Sequence, residues 1–293
     1  MTLYEEVRAA LRDSEFKPRK SRGQNFLIHE RVIESIVRLL DLDRSDEVLE
    51  IGPGLGFLTR RLLERAGRVR AVEVDAALVE RLRRSDLAAD PRLQLIHGDI
   101  LTIPLPEGLR KRKVKLAGNL PYSIATSVLF RIFEWREHFS TLVLMVQKEV
   151  ADRMAGRPGT KNYGTLSVWC QVHGRITEKL SVSPEAFFPR PKVRSTVLQI
   201  ALFPEPLMAA DEWPALQALV RAAFGQRRKT LGNALSACLK GDRSEIENFL
   251  RFHDVDPRRR GETLSIDEFI KLARAARSRS LLTTDDGSRI TAH

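Results

Sequence analysis

Hydrophobic residues recur with two different periods along the first two-thirds of the chain. Short apolar runs predict buried strands over residues 46–52, 69–74, 93–96, 114–117 and 142–146. Between them, apolar residues spaced three and four positions apart predict helices over 57–66, 76–84, 123–135 and 148–155. Strands that alternate with helices indicate an α/β fold with a parallel, doubly wound sheet. Two stretches rich in β-branched residues, 175–182 and 195–202, predict a further antiparallel pair.

The pattern changes after Phe203, where the segment Phe-Pro-Glu-Pro interrupts it. Helical spacing then predicts four helices, over 213–224, 230–239, 244–252 and 266–276. The sequence therefore predicts a basic extension (1–22), an α/β domain (23–203), a small helical domain (204–277) and a disordered tail (278–293). No apolar run approaches the roughly 20 residues that a membrane span needs, and the acidic residues near the start argue against a signal peptide.

The charge composition of the chain indicates which class of molecule it binds. The chain has 293 residues and a net charge of +11, and 15 basic against 13 acidic residues lie from position 201 onward. Most of the surplus therefore belongs to the first 200 residues. Clustered cations attract polyanions, so nucleic acid is a natural partner, although such charge also serves solubility. The clusters are Lys17, Arg19, Lys20 and Arg22; Arg110, Lys111, Arg112, Lys113 and Lys115; Arg190, Lys192 and Arg194; Arg227, Arg228 and Lys229; and residues 258–260.

The two cysteines, Cys170 and Cys238, are too few for a disulfide framework or a metal cluster. No metal site is expected, and a reducing cytoplasm is the expected compartment.

A glycine-rich loop follows the first predicted strand and opens a helix, with the sequence Glu50-Ile51-Gly52-Pro53-Gly54-Leu55-Gly56. Glycines let the backbone approach a ligand, and a helix N-terminus offers amide donors. The dinucleotide fingerprint requires another glycine at position 57, which is Phe57. By itself, the loop is equally compatible with a tight structural turn.

Two acidic residues end the next predicted strands. Glu73 lies about 20 residues beyond the loop, where a carboxylate can accept hydrogen bonds from both hydroxyls of a ribose. Asp99 ends the third strand and can accept from an adenine amino group. Either acid alone is also typical of a helix cap or a surface charge, but together with the loop they predict a nucleoside site. S-adenosylmethionine fits this site better than NAD, because no pyrophosphate-type loop is present.

The fourth predicted strand ends in Gly118-Asn119-Leu120-Pro121-Tyr122. An aromatic amine is a poor nucleophile, because its lone pair is delocalised into the ring. Oxygen acceptors that hold the amino hydrogens let the nitrogen direct its lone pair at a methyl group. The Asn119 side chain and the Leu120 carbonyl, held by Pro121, can supply these acceptors, while Tyr122 stacks on the base. Catalysis is then chiefly positioning. A turn without a chemical role is the alternative.

A base must leave its stack to reach such a pocket, and aromatic side chains commonly hold it there. Phe187 and Phe188 are candidates for this platform, although a pair of phenylalanines is more often part of a core. The cations that follow them, Arg190, Lys192 and Arg194, are candidates for phosphate contacts.

Together these residues resemble the ribosomal RNA adenine dimethyltransferase family, most closely its bacterial small-subunit branch. The matching motifs run in order through most of the chain. They are Gly23 to Leu27, Glu50 to Gly56, Val72 to Asp75, Gly98-Asp99, Gly118 to Tyr122, Gln147 to Arg153, Tyr163 to Val168, Phe187 to Ser195 and Ala223 to Leu231.

The resemblance implies a Rossmann-like S-adenosylmethionine-dependent methyltransferase domain followed by a small all-helical domain. It implies transfer of four methyl groups to two adjacent adenosines in the 3′-terminal hairpin loop of small-subunit ribosomal RNA, late in assembly, on an immature 30S subunit. The implied cofactor contacts are Asn25, Leu27, Gly52, Gly54, Glu73, Asp99 and Asn119. The implied base contacts are Asn119, Leu120, Pro121, Tyr122 and Phe187.

For RNA, we expect contacts from Lys17, Arg19, Lys20, Arg22, Arg190, Lys192, Arg194, Arg227, Arg228 and Lys229, flanking the mouth of the pocket. A cytoplasmic monomer is expected. Three alternatives are an Erm-type enzyme acting on large-subunit RNA, a non-catalytic assembly or transcription factor on the same fold, and an NAD-dependent oxidoreductase. QRRKT, at residues 226–230, and the FPRPKV segment, at residues 188–193, favour the small-subunit branch.

Overall fold

Five parallel strands form the centre of the first of two units in the computed structural model. The model describes residues 2–12, 24–106, 109, 113–121 and 124–283. One unit comprises Met1–Ala151 and Arg175–Leu202, and the other comprises Asp152–Gly174 and Phe203–His293. No helix among the described residues is long and apolar enough to cross a membrane.

The strands of the first unit alternate with helices, as predicted. The strands are β1 (Phe26–Leu27), β2 (Glu47–Ile51), β3 (Arg68–Glu73), β4 (Leu93–His97), β5 (Val114–Asn119), β6 (Phe139–Gln147), β7 (Gly174–Val182), β8 (Phe187–Phe188) and β9 (Ser195–Leu202). The helices are α1 (Leu3–Arg12), α2 (Glu30–Leu40), α3 (Phe57–Arg65), α4 (Ala76–Arg83), α5 (Ala125–Glu134) and α6 (Lys148–Met154).

The large sheet has the strand order β4-β3-β2-β5-β6-β9-β7. The neighbouring pairs from β4 to β6 are parallel, and β9 is antiparallel to β6. This arrangement confirms the α/β prediction. Its centre is buried, since most residues of β2, β5 and β6 are buried, including the runs Val48 to Ile51, Leu116 to Gly118 and Leu142 to Val146.

The register of the sheet brings the carboxyl ends of three strands to one edge. Ile51, at the end of β2, pairs with Val72 of β3 on one side and Gly118 of β5 on the other. The residues that follow these positions are the glycine loop, Glu73 and Asn119. In open α/β sheets, ligands bind at the edge formed by the carboxyl ends of the strands, so these three groups lie where a ligand site is expected.

Several elements of the first unit were not predicted from the sequence. Helix α2 presents Ile33, Ile36, Val37 and Leu40 to the core at helical spacing. The predicted N-terminal extension contains α1, whose Val7 is fully buried in the first core. Strands β1 and β8 form a separate two-stranded antiparallel pair.

The second unit consists of helices. They are α7 (Thr165–His173), α8 (Trp213–Gly225), α9 (Leu231–Leu235), α10 (Arg243–Phe252) and α11 (Ile266–Ser278). The four helices predicted after Phe203 correspond to α8–α11, although α9 is shorter than its predicted range of 230–239.

The second unit differs from the predicted helical domain at both of its limits. It includes residues 152–174, because Tyr163, Val168 and Val172 pack in the same core as α8 and α11. Residues 279–283, which were predicted as tail, are described by the structure, and Leu282 forms a β-bridge with Leu239. Residues 284–293 lie outside the described part of the chain.

Candidate functional site

A cleft opens at the carboxyl ends of β2, β3 and β5, within the first unit. Its empty volume is about 1120 Å³, which includes solvent at its mouth. The predicted residues that line it are Asn25, Leu27, Gly52, Gly54, Glu73, Asp99, Asn119, Leu120 and Pro121. Tyr122 lies outside the described residues. The structure therefore brings the described members of the predicted cofactor group together, while their individual roles stay predictions.

The glycine loop forms the floor of this cleft in a conformation that favours glycine. Gly52, Gly54 and Gly56 have φ angles of 70°, 59° and 82°. A Cβ atom on Gly54 would lie 3.2 Å from the ring of Phe26, and one on Gly56 would lie 2.6 Å from Leu87. Both the backbone angles and the close packing therefore require glycine at these two positions.

Glu73 connects the end of β3 to the glycine loop through a hydrogen bond. Its Oε2 accepts a hydrogen bond from the Gly54 amide at 3.1 Å, and its Oε1 accepts one from the Asp75 amide at 2.9 Å. The side chain is 5% exposed, and its burial raises the pKa of the carboxyl, which the two amides oppose. Asp75 in turn caps α4 and accepts from the Gln24 side chain at 3.0 Å.

Asn119 ends β5 with its side chain held by the backbone of another segment. Its Nδ2 donates a hydrogen bond to the Asn25 carbonyl at 3.0 Å. Its Oδ1 has no hydrogen-bond partner among the residues that the structure describes. The next residue, Leu120, is fixed by its amide, which donates to the Met145 carbonyl of β6 at 3.0 Å. The Asn119 side chain therefore places a carbonyl oxygen on the cleft wall, and its orientation is fixed before a ligand binds.

Glu50 is a member of this site that sequence reasoning treated only as the acid before the loop. It is 1% exposed on the central strand β2 and lines the cleft. Its Oε2 accepts from the Thr59 hydroxyl at 2.7 Å. Burial raises the pKa of the Glu50 carboxyl to about 8; the Thr59 hydrogen bond lowers it, and the charge of Glu73 raises it further. An acid between the apolar residues Leu49 and Ile51 of a predicted buried strand was the available signal, since buried carboxyls concentrate at functional sites.

The charge of the cleft is opposite to that of the chain. Three carboxyl groups line it, those of Glu50, Glu73 and Asp99. Its described lining contains no lysine, arginine or histidine, although the chain carries a net charge of +11. A cleft with this lining favours a cationic ligand and disfavours a pyrophosphate, which argues against the NAD alternative.

Phe187, the predicted base platform, is buried beside the cleft. It is 3% exposed in the first core and pairs in register with Leu27, which lines the cleft. Phe188 is half-buried and makes an edge contact with Tyr4, with ring centroids 5.7 Å apart. A stacking role for Phe187 stays a prediction.

One group of the predicted RNA-binding cations is exposed on the first unit. Arg190, Lys192 and Arg194 lie between β8 and β9. Arg190 forms an ion pair with Glu185, and Arg194 donates to the Ser181 hydroxyl at 3.2 Å. Their exposure suits contact with a large anionic partner.

The second group, Arg227, Arg228 and Lys229, is exposed just after α8 in the second unit. Arg227 donates to the Tyr163 carbonyl at 2.5 Å. The placement of all these cations around the cleft mouth stays a prediction. Four of the predicted RNA-binding cations lie outside the described residues: Lys17, Arg19, Lys20 and Arg22.

The buried carboxyl predicts how stability depends on pH in the absence of ligand. The folded-state pKa of Glu50 is about 8, against an ordinary value of 4.5. The folded chain therefore keeps a proton that the unfolded chain releases, and stability is lost as pH rises through 8. Between pH 6 and pH 9 we expect the free energy of unfolding of the wild type to fall by about 2–3 kcal/mol more than that of Glu50→Gln. Urea unfolding at both pH values measures this difference. Glu80→Gln, a change at an exposed site, is the control and should behave like the wild type. An equal change in the free energy of unfolding for the wild type and Glu50→Gln would contradict the expectation.

Known proteins similar to this chain share an activity on ribosomal RNA. The family model for ribosomal RNA adenine dimethylase matches residues 15–277. The ribosomal RNA small subunit methyltransferase A of Geobacter metallireducens is 44% identical, over 90% of this chain and 98% of that protein. The protein of the same name from Alkaliphilus oremlandii is 40% identical, over 88% of this chain and 92% of its own.

Two solved structures are similar to this chain in fold. A dimethyladenosine transferase from Plasmodium falciparum has a TM-score of 0.75 at 24% identity, covering 87% of this chain and 98% of its own. The 23S rRNA methyltransferase ErmE has a TM-score of 0.65 at 26% identity, covering 85% of this chain and 98% of its own. These likenesses confirm the predicted Rossmann-like α/β fold with additional helices.

Proposed function

The chain belongs to the ribosomal RNA adenine dimethylase family, and on that premise we propose how its cleft performs the reaction. The protein is an S-adenosylmethionine-dependent dimethyltransferase that acts on adenines of 16S ribosomal RNA. Its targets are two adjacent adenosines in the 3′-terminal hairpin loop, and each receives two methyl groups on its exocyclic amine. The observation that carries the proposal is an acidic, glycine-floored cleft ending at Asn119.

The lining of the cleft fits the methyl donor. S-adenosylmethionine supplies an electrophilic methyl group on a sulfonium cation, and the described lining has three carboxyls and no cation. Glu73 holds the ribose hydroxyls, and Asp99 accepts from the adenine amino group of the donor. Gly52 and Gly54 leave space at the floor, where a Cβ at Gly54 would crowd Phe26.

The chemical step depends on orientation of the target amine. In the first transfer to each adenosine, Asn119 Oδ1 and the Leu120 carbonyl accept the two amino hydrogens, so the nitrogen lone pair points along the line of methyl transfer. In the second transfer, the methylated amine has one hydrogen left for one of these acceptors. A new nitrogen–carbon bond forms as the carbon–sulfur bond breaks, and the sulfur keeps the electron pair of that bond. The alkylated nitrogen is strongly acidic and loses its extra proton to water without a dedicated base. The residues thus act by positioning.

The substrate in the cell is an immature 30S subunit late in its assembly, and the protein acts as a cytoplasmic monomer. Exposed cations on each unit support binding to an RNA surface, since each phosphate contact adds affinity that falls with salt. The predicted contacts are those of the segments 17–22, 190–194 and 227–229.

The decisive experiment is transfer of tritiated methyl groups to subunits from a strain that lacks this enzyme. We expect label in small subunits, recovered as dimethyladenosine at up to four methyl groups per subunit, with a primer-extension stop at the paired adenosines. Mature wild-type subunits are the control and should accept no label. Label confined to large-subunit RNA would instead support an Erm-type activity. Binding to small subunits without any label would support a non-catalytic assembly factor.

A further inference from the structure

Glu50 is a carboxyl group of the cleft to which the reaction described above assigns no role. It lies on the central strand of the sheet, opposite Ala71 of β3 and Ala117 of β5. It is buried, yet it belongs to the cleft lining rather than to the interior of the core. One carboxyl oxygen accepts the Thr59 hydroxyl at 2.7 Å. That hydroxyl can donate to the carboxyl in either of its protonation states.

Burial and the neighbouring carboxyl groups oppose the ionisation of Glu50 when the cleft holds no cation, while the Thr59 hydrogen bond favours it. From β3, Glu73 adds a negative charge, and Asp99 adds a third carboxyl to the same lining. From α3, Thr59 offers a neutral donor, and β5 offers Ala117. Among the described lining residues there is no lysine, arginine or histidine to balance the charge. A carboxylate here has a desolvation cost and no compensating cation.

We propose that Glu50 is a proton-exchanging residue of the donor site, which holds a proton in the empty cleft and releases it when the cationic donor binds. This rests on the proposed function, in which S-adenosylmethionine is the ligand of the cleft. The arriving positive charge favours the carboxylate, so binding and deprotonation are coupled. Glu50 thereby makes donor affinity depend on pH.

The pKa of about 8 gives the size of the coupling. Glu50 is then about 0.9 protonated at pH 7.0 and about 0.25 protonated at pH 8.5. If the donor complex holds the carboxylate, binding releases about those numbers of protons at the two pH values. Donor affinity also rises about eightfold between them through Glu50 alone.

Calorimetry of the full chain measures the proton count. S-adenosylmethionine is titrated at pH 7.0 and 8.5 in buffers of different ionisation enthalpy, and the slope of the heat gives the protons released. The α-amino group of the donor also titrates in this range, so the quantity of interest is the wild-type count minus that of Glu50→Gln. We expect a difference of about 0.9 at pH 7.0 and about 0.25 at pH 8.5.

A second variant changes the proton count in the opposite direction. Thr59→Val removes the hydrogen bond that lowers the pKa of Glu50, so the proton is kept to higher pH. We expect it to release more protons than the wild type at pH 8.5. Difference infrared spectra supply an independent readout, since the carbonyl band of a protonated carboxyl should disappear when the donor binds and be missing in Glu50→Gln.

Equal proton counts for the wild type and Glu50→Gln would overturn the inference, as would a carbonyl band that persists in the donor complex. If Glu50→Gln does not bind the donor, Thr59→Val decides, and an unchanged count at pH 8.5 would refute the coupling. Wild-type protein that binds no donor and transfers no methyl group would instead refute the proposed function. The two failures are thus distinguishable.

Discussion

Replacing Asn119 by alanine should lower kcat about 10²- to 10³-fold, the usual loss when one oriented hydrogen-bonding group that acts in a transition state is removed. The Asn119 amide is oriented by its bond to the Asn25 carbonyl, and its Oδ1 has no partner within the described residues. Alanine leaves no side-chain acceptor for an amino hydrogen of the target base. Single-turnover transfer of tritiated methyl groups to undermethylated small subunits measures the effect.

The control for this variant tests binding and folding separately from chemistry. Asn248→Ala makes the same change at an exposed position on α10 and should leave the rate unchanged. Asn119→Ala should still bind small subunits with near-normal affinity, because the exposed cations are untouched. An unaffected rate of transfer would refute the role that we give to Asn119.

The chemistry at the strand ends could be predicted because it depends on local sequence. Glycines directly after a predicted strand favour a turn, and Glu73 and Asn119 each lie at the end of a predicted strand. Parallel pairing then brings those ends to one edge of the sheet, since β2 lies between β3 and β5. The position of the cleft therefore followed from residue types and their spacing, while the roles of its residues stay predictions.

Glu50 shows what local sequence cannot supply. Its sequence context is that of any acid before a glycine loop. Its raised pKa arises from burial in the sheet and from the charge of Glu73, and a hydrogen bond from a hydroxyl nine residues away partly opposes the increase. The same limit applies to residues 152–174, which follow the α/β pattern but pack in the second core. Such assignments depend on tertiary contacts between distant segments.

Replacing Glu73 by glutamine should have the opposite kinetic signature to Asn119→Ala. A carboxylate gives an acceptor at each oxygen, and Glu73 already uses both for the amides of Gly54 and Asp75. Glutamine replaces one oxygen by a donor, which leaves one amide without its acceptor and repels a ribose hydroxyl that must donate. Loss of charge-assisted hydrogen bonds of about 1.5–3 kcal/mol should weaken donor affinity roughly 10- to 150-fold.

The effect of Glu73→Gln should therefore lie in the KM for the donor, with kcat near normal once the donor saturates. Asn119→Ala should instead act chiefly on kcat, and its low rate should persist at saturating donor. Glu80→Gln on α4, an exposed site paired with Arg84, is the matched control and should change neither quantity. Steady-state titration of S-adenosylmethionine against small subunits separates the two constants. If Glu73→Gln lowers kcat at saturating donor while its KM is unchanged, the carboxylate acts on the target base, and Glu73 is not the ribose contact.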